Sequence, residues 1–73
     1  MTATLTFTLP EEQEEFYLAA KGADWRCVLE DLDAHLRSRL KHEDGLSEDA
    51  VTALQATRDK LHEFIAERGL SLW

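Results

Sequence analysis

Asp31, His35 and His42 carry side chains that bind transition metals, and carboxylate with imidazole suits a divalent ion such as zinc. At helical spacing the three fall on one side of a helix. No fourth ligand accompanies them, however, and Asp31 with His35 also makes an ordinary one-turn ion pair, so no metal is expected. Cys27 is the single thiol. It falls opposite the apolar stripe of its helix, beside Ala34 and Ser38, with no base or oxyanion donor nearby, and reads as a small space-filling residue. Glu11, Glu12, Glu14 and Glu15 could hold a carboxylate pair for acid–base work, but nothing apolar surrounds them to raise a pKa. Three isolated glycines make no phosphate loop. The expectation is a chain with no catalytic residue, no cofactor and no enzymatic activity.

Length points the same way. With 73 residues there is room for one small domain, residues 1–73, and a core too thin to enclose a pocket. Fifteen acids against eight Lys or Arg give a net charge of −7, which opposes direct binding to nucleic acid or an anionic membrane and favours a cationic partner. Arg37, Arg39, Lys41 and His42 form a local basic cluster, but Glu43 and Asp44 cancel part of its field. Complementing a helix dipole accounts for it more simply. The longest apolar run, Phe16 to Ala20, is far below the roughly 20 residues of a spanning helix, and Met1 to Pro10 lacks the charged and apolar regions of a leader. A single cysteine excludes an intrachain disulfide and fits a reducing cytosol.

These residues must be positioned by a few elements. Thr4 to Leu9 alternate strictly, Leu5, Phe7 and Leu9 against three threonines, which predicts a short strand with one buried face. Pro10 opens a first helix over 10–21, with glutamates at its positive end and Gly22 as its left-handed stop. Asp24 caps a second helix whose stripe is Trp25, Val28, Leu29, Leu32, Leu36 and Leu40, flanked by the one-turn pairs Arg26–Glu30 and Asp33–Arg37. A loop at Asp44 and Gly45 leads to a third helix capped by Ser47. Its apolar face is Val51, Leu54, Leu61, Phe64 and Ile65, and Gly69 is its stop. The alternating tail Leu70 to Trp73 is predicted to pair with Thr4–Leu9 and bury Leu72 or Trp73. The expected fold is a small α+β domain, three helices packed on a two-stranded sheet made from the two terminal segments.

With catalysis set aside, recognition of another protein remains. Six aromatic residues in 73 are many, and Tyr17, Trp25 and Trp73 stand near element ends where a ring serves as core or as anchor. An acidic rim around exposed apolar residues suits an amphipathic segment bearing lysines. The predicted partner surface is Glu11, Glu12, Glu15, Tyr17 and Trp25. A strict DNA mimic needs a dense one-sided array of acids, whereas acids and bases interleave on the second and third helices. An acidic DNA-mimic inhibitor of a host DNA-binding or defence protein therefore stays an alternative, as does a virion assembly factor.

The run Leu5-Thr6-Phe7-Thr8-Leu9-Pro10-Glu11-Glu12-Gln13-Glu14-Glu15-Phe16, then Trp25, Val28-Leu29, Leu32-Asp33 and Leu36-Arg37, then Arg58-Asp59-Lys60-Leu61 and Gly69-Leu70-Ser71-Leu72-Trp73, resembles a family of very small tailed-phage proteins over nearly the whole chain. The chain also looks like a host-polymerase-binding transcription regulator of a Xanthomonas phage. The resemblance implies binding to host RNA polymerase near the N-terminus of the β′ subunit. It further implies inhibition of initiation by disfavouring the σ-bound holoenzyme, and suppression of termination. A protein so described would act as a monomer in the cytoplasm of the infected bacterium.

Overall fold

The computed structural model describes residues 1–72 and contains three helices, α1 (Gln13–Ala20), α2 (Gly22–His42) and α3 (Glu48–Glu67). α2 and α3 are antiparallel neighbours joined by the turn at Asp44 and Gly45, and together they form a hairpin about 30 Å long at 1.5 Å per residue. α1 adjoins α2 alone and buries no residue. The radius of gyration is 17.3 Å, against about 11 Å for a compact chain of this length. The molecule is correspondingly long, 53 × 26 × 18 Å.

Local chemistry sets the ends of α3 as expected. Ser47 is extended, and its hydroxyl accepts the Ala50 N–H at 3.1 Å, satisfying one donor that the first turn leaves without a partner. At the other end Gly69 takes φ +67°, the left-handed conformation that side-chain-bearing residues avoid. Leu70 N–H then reaches the Ile65 carbonyl at 3.1 Å and Gly69 N–H that of Ala66 at 3.0 Å, the paired bonds of a Schellman stop. Gly45, at φ +81°, makes the turn between α2 and α3 possible in the same way.

The predicted sheet does not form: there is no strand among the described residues, and the fold is all-α. Its cause lies at residues 21 and 22. Gly22 is not a left-handed stop but the first residue of α2, and Asp24 lies in the first turn instead of capping it. Only Lys21 separates α1 from α2, and the backbone bonds Lys21 N–H to Tyr17 and Trp25 N–H to Lys21 carry the helical path across the junction. The chain therefore never reverses there, and Thr4–Leu9 stays away from Leu70–Leu72. Residues 8–12 form a turn of their own: the Thr8 N–H donates to the Glu12 carboxylate at 2.8 Å, and the Glu12 N–H donates back to the Thr8 carbonyl at 2.8 Å. Helix α1 consequently starts at Gln13, three residues later than predicted.

The tail finds side chains in place of a strand. The Arg26 guanidinium donates to the Leu72 carbonyl at 2.8 and 3.1 Å, and Leu72 is buried at 5% exposure, as the sequence anticipated for one of the two candidate residues. The other, Trp73, lies outside the described residues. Leu36, at 6%, is the remaining buried apolar side chain among the described residues. Leu29, Leu40, Leu54, Leu61 and Ile65 are half-buried along the α2–α3 seam.

Replacing Ser47 by Ala is expected to remove about 1 kcal/mol of stability while Ser47→Asp stays near the parent, as urea-unfolding midpoints will show.

Candidate functional site

Asp33 is the buried charge of the hairpin, at 7% exposure. Its carboxylate crosses from α2 to α3, accepting from Arg58 Nε at 2.9 Å and lying 2.6 Å from His62 Nε2. The two partners stand one turn apart on α3, so one carboxylate meets both from a single level of α2. The Arg58 hydrogen bond holds the Asp33 carboxyl below the usual carboxylate range, against the opposing cost of burial and with help from His62, and Asp33 raises Arg58 in return. At neutral pH Asp33 is thus an anion that accepts and does not donate protons. The cluster fixes helix against helix. It replaces the predicted Asp33–Arg37 pair, because a partly buried partner across the seam gains more than an exposed one along the same helix. The predicted Arg26–Glu30 pair does form, at 2.9 Å.

The metal candidates do not converge. Asp31 and His42 are eleven residues apart on one helix, about 16 Å along its axis, which no single ion bridges. Among the described residues no three His, Cys, Asp or Glu side chains gather to hold a metal ion, and Asp31 and His35 make no ion pair. Cys27 is exposed.

Residues 1–20 hold the predicted partner surface, except for Trp25. Tyr17 and Trp25 are brought together, lining one open depression with Lys21, Asp24 and Val28, and the Lys21 ammonium lies 5.9 Å from the Tyr17 ring centre. The glutamates are not gathered around them. Glu12 is engaged with the Thr8 backbone, and Glu15 lies about 160° around α1 from Tyr17, a side that Glu14 comes nearer to sharing. What sequence reasoning missed is the apolar content of this arm. Leu5, Leu9, Phe16, Tyr17 and Leu18 are all exposed, and Phe7 meets Phe16 edge to face at 5.8 Å. Period-two patterning at residues 4–9 signalled a buried face but not its separation from the hairpin.

A second missed feature is a groove between the start of α2 and the tail, about 260 Å³, walled mainly by Trp25, Leu29, Ile65, Leu70 and Leu72. The helices define the class of the molecule: an antiparallel helical hairpin with a projecting acidic arm. No family model, curated protein or solved structure matches the chain. No helix among the described residues is long and apolar enough to cross a membrane.

Because the folded-state pKa of Asp33 is depressed, its contribution to stability is fully present above the unfolded value of about 3.9 and is lost as pH falls through the folded value. Asp33→Asn is therefore expected to lower stability by about 2 kcal/mol at pH 7, from the loss of a charge-assisted cross-helix bond. Urea midpoints taken at pH 7 and at successive steps below about pH 3.9 check the sign: the gap between parent and variant should shrink as pH falls through the depressed folded value.

Proposed function

We propose that this chain is a non-enzymatic transcription regulator of a tailed phage, which binds host RNA polymerase at the N-terminal region of β′ through residues 1–20. The observation that carries the binding mode is the composition and placement of the arm. Within residues 1–20 there are four glutamates and no Lys or Arg, while the rest of the chain has eleven acids against eight bases. The same arm exposes six large apolar side chains, Met1 among them, and buries none. A surface of that kind fits a segment presenting both lysine or arginine charges and an apolar stripe. The choice of polymerase rests on the resemblance, whose most distinctive parts are Leu9–Phe16, within this arm, and the pattern of α2, outside it.

A chain this small obstructs only locally. To disfavour the σ-bound holoenzyme it must bind core polymerase more tightly than holoenzyme, because equal affinity for both states shifts neither. The same preference carried into elongation would account for weaker termination. The hairpin's part is to hold α1 by the junction at Lys21.

Fluorescence titration against core polymerase, holoenzyme and the isolated β′ N-terminal fragment tests this. Tight binding to core and to the fragment, weaker to holoenzyme, is expected. Tyr17→Ala with Leu18→Ala should cost about tenfold or more in affinity. Glu14→Lys with Glu15→Lys should weaken binding and flatten its salt dependence. Absence of binding to every polymerase form ends the reading, and full affinity in the arm variants moves the surface elsewhere.

A further inference from the structure

The hairpin has two long faces, and the tail lies across one end of one of them. The tail lies over the side that bears Arg26 and His62, with Leu70 and Leu72 lining a cavity beside His62 and Ala66. On α2, Trp25, Leu32 and Val28 lie about 50–110° around the helix from the centre of the seam, and on α3 Phe64 lies about 90° from it in the same rotational sense. In an antiparallel pair equal senses place Val28, Leu32 and Phe64 on one face, away from the tail, with Trp25 at its edge, where it also walls the groove against Leu70 and Leu72. The level of the Asp33–Arg58–His62 cluster also sets Phe64 beside Val28 along the hairpin axis. All four are open: Trp25 at 58% exposure, Val28 at 56%, Phe64 at 54% and Leu32 at 44%.

We propose that this face pairs with the same face of a second copy, giving a twofold-symmetric four-helix bundle in place of the single copy expected from the sequence. Three observations select a second copy as the occupant. The first is size. Two helices about 30 Å long and about 9 Å apart present roughly 600–800 Å². That approaches the roughly 800 Å² per partner of a stable interface, and about 400 Å² of it is apolar surface from the four large side chains. The second is charge. The ions bordering the face are already paired within the chain: Lys21 with Asp24 at 3.7 Å, Lys60 with Glu63 at 3.0 Å, and Arg39 with Glu43 at 2.7 Å. The border is thus nearly neutral, so a second copy meets no net repulsion, while a cationic partner is drawn to the arm and not here. The third is the core. Among the described residues only Leu36 and Leu72 are buried apolar side chains, and a single layer of two helices leaves that deficit, which a second layer of the same kind removes.

A twofold axis through the face makes each copy's patch self-complementary, closing the assembly at two. The arm adjoins the face at Tyr17, which shares a depression with Trp25 and Val28, while residues 1–16 extend beyond it. The dimer does not depend on the polymerase reading, and its test contains no polymerase.

Sedimentation equilibrium of the full chain from roughly 1 µM to 0.5 mM should give twice the chain mass, with a dissociation constant in the micromolar range or below. Leu32→Lys with Phe64→Lys should weaken association by about 100-fold or more, whereas Ala34→Lys, on the exposed outer side of α2, should leave it unchanged. If the double variant also loses helicity, the parent decides alone, since a melting temperature that rises with concentration marks folding linked to association. A single-chain mass with concentration-independent melting at every concentration overturns the proposal. Association of the helical double variant with parental affinity does the same.

Discussion

Asp33 sets the geometry on which the rest of the structure depends. A helical hairpin with few buried apolar residues has little to stop one helix from sliding a turn past the other, since leucines at similar spacing repack after such a shift. A carboxylate at 7% exposure tolerates no such freedom. Moving α3 by a turn would take Arg58 Nε away from Asp33 and leave a charge desolvated without its donor, at a cost of several kcal/mol. Register here is thus specified by one ion cluster and only supported by apolar packing. The levels along the hairpin follow from it, including the seat of the tail under Arg26 and the alignment of Phe64 with Val28.

The helices and their ends were legible wherever the signal was local. Ser47 as cap, Gly69 as stop, the Asp44–Gly45 turn and the Arg26–Glu30 pair are decided by residues within one turn of each other, so spacing alone identifies them. Tertiary features were not legible. Asp33 has a suitable partner four residues along, Arg37, and nothing in the sequence marks Arg58 and His62 as the partners that prevail. Gly22 shows the opposite failure. Glycine after a helix is a common stop, yet no neighbouring residue forces the left-handed turn, and the helical bonds across Lys21 win. The absence of a sheet follows from that junction, because a strand at residues 4–9 needs a partner that an unreversed chain cannot deliver. The alternation that suggested a strand is real, but its apolar members stay in the open, apart from Phe7 against Phe16.

Charge divides the molecule as clearly as packing does. Along the hairpin acids and bases interleave, and each exposed Lys21, Arg26, Arg39 and Lys60 has an acid within 4 Å in its own helix or at its end. Such exposed pairs add little stability, but they cancel the local field. In the arm nothing cancels. Its glutamates have no cationic side chain among residues 1–20, so the potential there extends to about a Debye length, near 8 Å in physiological salt. An approaching cationic surface is therefore steered to the arm before any apolar contact is made.

If both proposed contacts form, they meet where Tyr17, Trp25 and Val28 line one depression. A neutral-bordered apolar face gains from association with something of its own composition, because neither charge nor a buried polar group has to be matched. An acidic apolar arm would repel a copy of itself and, on the proposed reading, select a basic partner. Pairing of hairpins would also place two arms on one particle, and a polymerase contact made by one arm would hold the second at a high local concentration near the same surface. A regulator limited to one short docking segment gains residence time in that way from geometry and without a larger interface.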